Sequence, residues 1–419
     1  MTISQIKPIT FGQTQSHHPE YAKVMISNLT AQILFTASSS LLLILPQVLL
    51  ERGITVGWHG WIMASYSLFY AIGLFNGKSV ITRLGNRWTI VMGCILAATG
   101  CFFLLTGHQL LVLYFAGRAL HGIGCAWIFL PLQGQVMRLS ANHLRGQTIG
   151  LVNLPGFITL AISPFIAELL SNTGKPDGIF LIAGIVCLLL LPLAKSVPVN
   201  AESSVNPTVI QGYRERITTL EWLAIIFSFV QGISLELPKI LLPLITLTAN
   251  SWCFASFFFF YGTSAFIFRI FLESRLRMQI PLWAMVATGC LVPIGIPCFT
   301  MASSITEFGA IGFIFGLGHG LFYPSLVQLF TRHAETNSLV WRLSNLTAAM
   351  TFGLILGQVS ASVGAKFLGI NSTLWWSGLL LLAIQVAILI AMWYHDKSSI
   401  DHSFNKDVNN KYSYCGVIK

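Results

Sequence analysis

Along most of the chain, apolar residues run in stretches of about 20, the length a helix needs to cross a bilayer. On that length the pattern predicts twelve spans: 27–50, 58–77, 88–107, 109–135, 148–171, 178–194, then 220–247, 251–271, 282–302, 308–330, 339–363 and 372–394. The longest polar gap, Lys195 to Thr219, contains Pro198, Pro207 and the charged turn Arg214-Glu215-Arg216, and it separates six spans from six. The expected organisation is an N-terminal segment 1–26, a half 27–194, a linker 195–219, a second half 220–394 and a polar tail 395–419 without regular structure. The first segment carries His17, His18, Glu20 and Lys23 and lacks the apolar core of a cleaved signal.

Composition agrees with the pattern. The 419 residues are 54% hydrophobic and 9% charged, against roughly a quarter charged in soluble domains. An all-α polytopic membrane protein is therefore expected, with the lipid bilayer as its principal surroundings. The net charge of +10 does not imply nucleic acid, because no soluble segment is long enough to bind it. It reflects orientation. With both termini inside, 19 of the 24 lysines and arginines fall on the inner side, among them Lys78, Arg83, Arg87, Arg138, Arg145 and Arg214. The outer loops hold only Arg52, Lys175 and Lys366. That bias predicts cytoplasmic termini in a cell inner (plasma) membrane.

Enzyme chemistry is not expected, since Asp177, Asp396, Asp401 and Asp407 all fall in loops or the tail, leaving no acidic cluster at one depth. Seven cysteines lie in apolar segments, and none has the spacing of a metal or redox motif. No metal or cofactor is predicted from the spacing.

The halves echo one another. Pro46 matches Pro243, Arg83-Leu84 matches Arg275-Leu276, and Pro131 matches Pro324. Two such halves are a design in which substrate sits between them near mid-membrane. Three motifs then carry a resemblance to the major facilitator superfamily of secondary transporters. Thr82-Arg83-Leu84-Gly85-Asn86-Arg87 is similar to the family's basic loop after helix 2, keeping Arg83, Gly85 and Arg87 but with Thr82 where an aspartate is usual. Arg118-x-x-His121-Gly122-x-Gly124-x-Ala126 resembles the helix 4 motif, with His121 where glutamine is common. Gly156 to Ala167, with Ser163-Pro164, resembles the helix 5 motif of antiporter-type exporters with most glycines lost. Arg145-Gly146 and Gly316-x-Gly318-His319-Gly320 also fit. The resemblance implies twelve helices in two halves, alternating access, a proton-coupling role for the arginine, and a cavity lined by helices 1, 4, 7 and 10. By contrast, Gly73 to Ser79 resembles a phosphate-binding loop but has three residues between its glycines where four are needed.

Few polar residues lie deep in the spans, so each is informative. Arg118 stands about 13 Å from the outer end of the fourth span and is a candidate for coupling or substrate binding. Glu236 and Lys239, three apart, can meet on one helix face; a proton on Glu236, tuned by Lys239, is the functional reading, and a self-satisfied pair the alternative. His121 and His319 occupy corresponding helices as further candidates. Gln32, the Ser38-Ser39-Ser40 run, Gln133 and Gln358 are expected either to line the cavity or to join helices. Glu168, at the outer end of the fifth span, is expected in water, and Phe257-Phe-Phe-Phe260-Tyr261 to face lipid.

These observations predict a monomeric, proton-coupled carrier of a small organic molecule. The basic Arg118 and Lys239, with no acid in spans 1 and 4, tilt the substrate towards an anion such as a carboxylate-bearing metabolite or siderophore. Export (efflux by antiport) is favoured by the helix 5 motif; import of amino acids, organic acids or siderophores is the alternative.

Overall fold

The computed structural model describes residues 19–108, 110–139, 152–196, 218–247, 252–275, 286–331 and 339–415. The N-terminal half begins with α1, which runs Pro19–Leu41 and continues through a 3-10 turn, Leu42–Ile44, into Leu45–Glu51. The next helical stretch, Val56–Thr106, is two helices, α2 and α3, broken at Gly85, whose φ of 77° suits only glycine. Then come α4 (Leu111–Leu139), α5 (Pro155–Asn172) and α6 (Asp177–Leu188). The second half repeats the series: α7 (Thr219–Ile245), α8 (Cys253–Arg275), α9 (Leu291–Cys298 after a 3-10 turn), α10 (Ile305–Thr331), α11 (Leu339–Leu368) and α12 (Ile370–Cys415). Nine stretches among the described residues are long and apolar enough to cross a membrane, one of them being the α2–α3 pair; α5 and the proline-shortened α9 complete the twelve.

The two faces of the bundle differ. Gly53, Gly174 and Gly369, all at positive φ, make tight turns on one face; the helix 2–3 break at Gly85 lies on the other. Local signals start and hold the helices. Thr218 and Glu221 form a capping box at the start of α7, and Arg342 of α11 pairs with the same carboxylate. The fourth-span motif glycines have a packing reason. A Cβ on Gly122 would stand 2.4 Å from the Tyr66 carbonyl of α2, and one on Gly124 2.5 Å from the Ala97 nitrogen of α3. Small residues let these backbones approach where lipid offers no hydrophobic gain for helix association.

Two expectations are corrected. Phe257, Phe258 and Tyr261 are buried, Phe257 packing against Phe299 and Phe315 and Tyr261 against Phe315, while Phe259 and Phe260 point outwards. The 3.6-residue period divides the run between core and lipid. The tail is helical to Cys415, because extending a formed helix avoids the cost of nucleating one. Trp58, Trp61, Trp88, Trp375, Trp376 and Trp393 are exposed near helix ends, as expected of interfacial anchors. Arg145-Gly146 lies outside the described residues.

Close packing makes a direct test. Gly232→Ala on α7 would place a methyl 2.3 Å from the Met350 carbonyl of α11 and is expected to destabilise by about 1–3 kcal/mol. Gly134→Ala, with nothing within 4 Å, should leave stability unchanged. Thermal unfolding of the two variants side by side checks the contrast.

Candidate functional site

A cavity of about 290 Å³ opens between the halves, near the lower end of small-molecule pockets. Hydroxyls dominate its polar lining: Thr36, Ser39 and Ser40 from α1, Tyr66 and Ser67 from α2, and Thr351 from α11. Phe35, Tyr70, Gly156 and Leu354 complete the wall. Helices 1, 2, 5 and 11 therefore supply this wall, in place of the expected set 1, 4, 7 and 10; only α1 is common to both. Ser39 lines the cavity as expected, with its Oγ 3.2 Å from the Tyr66 hydroxyl.

Arg118 lies behind that tyrosine. Its guanidinium carbon sits 4.5 Å from the centre of the Tyr66 ring, a cation–π contact that is strengthened by desolvation. The residue is 3% exposed, and its Nε and Nη1 have no hydrogen-bond partner. Glu236 of α7, in the other half, is within electrostatic range of it. The carboxylate of Glu236 is itself occupied, taking Lys239 Nζ at 2.5 Å on one oxygen and Gln358 Nε2 at 2.9 Å on the other. Gln358 then accepts from Ser67 Oγ of α2 at 3.1 Å, so one polar chain crosses from half to half. Glu236, Lys239 and Gln358 thus come together, and Gln358 acts as a bridge.

From this layer towards the Gly53 face the halves are closed. Gly60 N of α2 donates to Ser362 Oγ of α11 at 2.5 Å. On the other side of the bundle, Glu168 of α5 is 6% exposed. Its carboxylate accepts the backbone N–H of Trp252 at 2.6 Å and of Ala255 at 2.8 Å, at the start of α8. The expectation of a wet Glu168 is overturned: the span end is covered by the N-terminus of a helix from the other half, which favours a carboxylate. The cavity lies on the opposite side of the Gln358 layer.

The remaining candidates divide. His121 is buried against Tyr66, with ring centres 5.2 Å apart and Nε2 3.4 Å from Ser38. His319 bonds Tyr261 through Nδ1 at 2.6 Å and meets the ring of Phe157, from the other half, at 5.4 Å. Gln32 is buried with an unpartnered Nε2 and is not in the cavity wall. Gln133 of α4 donates to Asn153, just before α5, at 3.1 Å. In the basic loop Arg83 is exposed and Arg87 half-buried, on either side of the Gly85 break. Sequence reasoning missed Tyr66 and Ser67 and expected Glu168 in water. A tyrosine one turn from Tyr70 in an apolar run could have signalled a polar stripe.

Comparison with known proteins follows from this geometry. The model of the family described as Major Facilitator Superfamily matches residues 28–340. No curated protein sequence matches the chain. Among solved structures, a mutant of the nucleoside transporter NupG is similar with a TM-score of 0.70 at 14% identity, over 88% of this chain and 99% of that one. A D-xylose-proton symporter gives 0.69 at 15%, over 89% and 97%. A POT family transporter in complex with a thioalcohol-conjugated peptide gives 0.71 at 14%, over 89% and 96%. These likenesses concern the fold.

The Glu168 contact predicts a conformational effect. Glu168→Gln turns an N–H₂ towards N–H donors and removes the charge at a helix N-terminus. Spin labels on Thr173 and Leu247 are expected to shift to longer distances, reporting opening at the Gly53 face. An unchanged distance distribution would remove Glu168 from the closure.

Proposed function

Because this chain belongs to the Major Facilitator Superfamily, whose members are transporters and not enzymes, we propose that it is a proton-coupled carrier of a small organic anion. The observation that carries the reading is Arg118, a buried cation beside the hydroxyl-lined cavity with two guanidinium nitrogens unpartnered. A charge at the middle of a span costs several kcal/mol, and such groups are kept where they meet a ligand, a pathway or a counter-charge. The hydroxyls of Ser39, Ser40, Tyr66, Ser67 and Thr351 suit a substrate with its own polar oxygens, such as a hydroxycarboxylate.

Glu236 is the proposed proton carrier. It is buried, lies within electrostatic range of Arg118, and holds the bridge through Gln358 to the other half. Neutralising it would weaken its hold on Lys239 and its attraction to Arg118 together, so one proton would loosen contacts within and between the halves. Lys239 tunes this carboxylate. His121 and His319 are buttresses in this reading, packed on Tyr66 and Tyr261. The lysine- and arginine-rich Gly85 face is assigned to the cytoplasm, which makes the conformation described here open inwards, in a protein that works as a monomer in the cell inner membrane. Export is the direction supported by the helix 5 motif around Ser163-Pro164. The α5–α8 crossing is close-packed: a Cβ on Gly262 of α8 would stand 2.4 Å from the Phe157 carbonyl. The D-xylose-proton symporter supports proton coupling by fold analogy.

Two variants test the assignment. Arg118→Ala is expected to weaken an anionic substrate by tenfold or more, about 1.4 kcal/mol, while a neutral analogue loses little; equal losses in a binding assay would reassign Arg118 to structure. Glu236→Gln is expected to abolish gradient-driven net transport in proteoliposomes while leaving substrate exchange. Full net transport by that variant would sink the proton-carrier role.

A further inference from the structure

Cys101 on α3, His121 on α4 and Cys187 on α6 are far apart in sequence, yet their potential ligand atoms all lie within 4.8 Å of one another. All three residues are buried, at 1% exposure or less, and both cysteines are free thiols. The imidazole keeps Nδ1 without a hydrogen-bond partner, while Nε2 faces Ser38 at 3.4 Å and the Cys187 thiol lies within hydrogen-bond reach of the ring. We propose that these three residues form a binding site for a soft monovalent cation, copper(I), held by two sulfurs and one nitrogen.

The donor set argues for the ion. Thiolate and imidazole, with no carboxylate among the ligands, select soft metals over hard ones. Charge then selects the monovalent state. Each thiol releases its proton on ligation, so one Cu⁺, two thiols and one neutral imidazole give a site of net charge −1 and two free protons. A buried charge needs a counter-charge. Arg118 supplies it, lying three residues before His121 and within electrostatic range of Cys101. Cluster and arginine together are neutral. A zinc ion in the same ligands would leave a net positive charge and would want a fourth ligand.

The three ligands lie outside the cavity wall, and the site shares only its counter-charge, Arg118, with the transport reading. Its three helices belong to one half, so an ion there braces α3, α4 and α6 without linking the halves that move. Neither the cavity hydroxyls nor Glu236 takes part. The inference stands whether or not the substrate is an anion, because its readout is metal binding and not transport.

The experiment uses the full-length, reduced protein in detergent under anaerobic conditions, with copper(I) supplied as its coloured bicinchoninate complex. The wild type is expected to withdraw one equivalent. Cys101→Ser, Cys187→Ser and His121→Gln should each bind at least about tenfold more weakly, whereas Cys253→Ser, in the other half, should match the wild type. Unchanged uptake by both cysteine variants, or an equal loss in Cys253→Ser, overturns the site. Melting temperatures without copper check that each variant folds. Should a serine variant fail to fold, X-ray absorption on the copper-loaded wild type decides. Two sulfurs and one nitrogen around copper support the site, and a shell without sulfur overturns it.

Discussion

The burial of one positive charge, Arg118, organises the middle of this protein. Hydrocarbon offers it nothing, so every compensation must come from neighbouring helices. Tyr66 gives it the face of an aromatic ring, and Glu236 gives it an opposite charge from the other half. The motif glycines make the first possible, since Gly122 lets α2 lie close enough for Tyr66 to cover the guanidinium. Even so, Nε and Nη1 stay without partners. An incompletely satisfied buried cation is costly, and on the proposed reading a substrate anion completes it.

Near-symmetry of the halves makes that asymmetry visible. Tyr66 against His121 in the first half has its counterpart in Tyr261 against His319 in the second, at offsets of nearly 200 residues. The position matching Arg118 is Gly316, where a Cβ would stand 2.3 Å from the Tyr261 carbonyl. So the tyrosine–histidine pair is shared by both halves, and the charge belongs to one. In the second half the charges sit on α7, as Glu236 and Lys239. The result is a cation and an acid on opposite sides of the plane between the halves.

What the sequence disclosed follows physical lines. Span length, the arginine–lysine bias and the paired motifs were enough for twelve helices in two halves, because each is a local property of the chain. Arg118 and Glu236 stood out because charge is rare at depth. Tyr66 and Ser67 did not, since a tyrosine or serine in an apolar run also serves packing. Glu168 was misread because its partners, the Trp252 and Ala255 amides, come from another half. Phe257 and Phe258 were misread because a continuous aromatic run masks the helical period. The cysteine–histidine cluster joins three helices, so no spacing along the chain could reveal it.

Alternating access then becomes a question of balance. Closure at the Gly53 face rests partly on the Glu168 carboxylate and two amide donors, charge-assisted bonds of about 1.5–3 kcal/mol each. Two working conformations must lie within a few kcal/mol of each other, so closing the Gly85 face must recover a similar amount. There the basic loop keeps Arg83 and Arg87 but has Thr82 in place of the acid usual in the family, so it brings no carboxylate of its own. On the proposed reading the balance is set in the centre, where contacts that hold the present conformation can be released. Glu236 draws on Arg118 across the plane between the halves and, through Gln358, is tied to Ser67. A bound anion screens that attraction, and a proton on Glu236 removes it. On that reading, occupancy of the site alters the same contacts that hold the halves together and so couples a gradient to a movement.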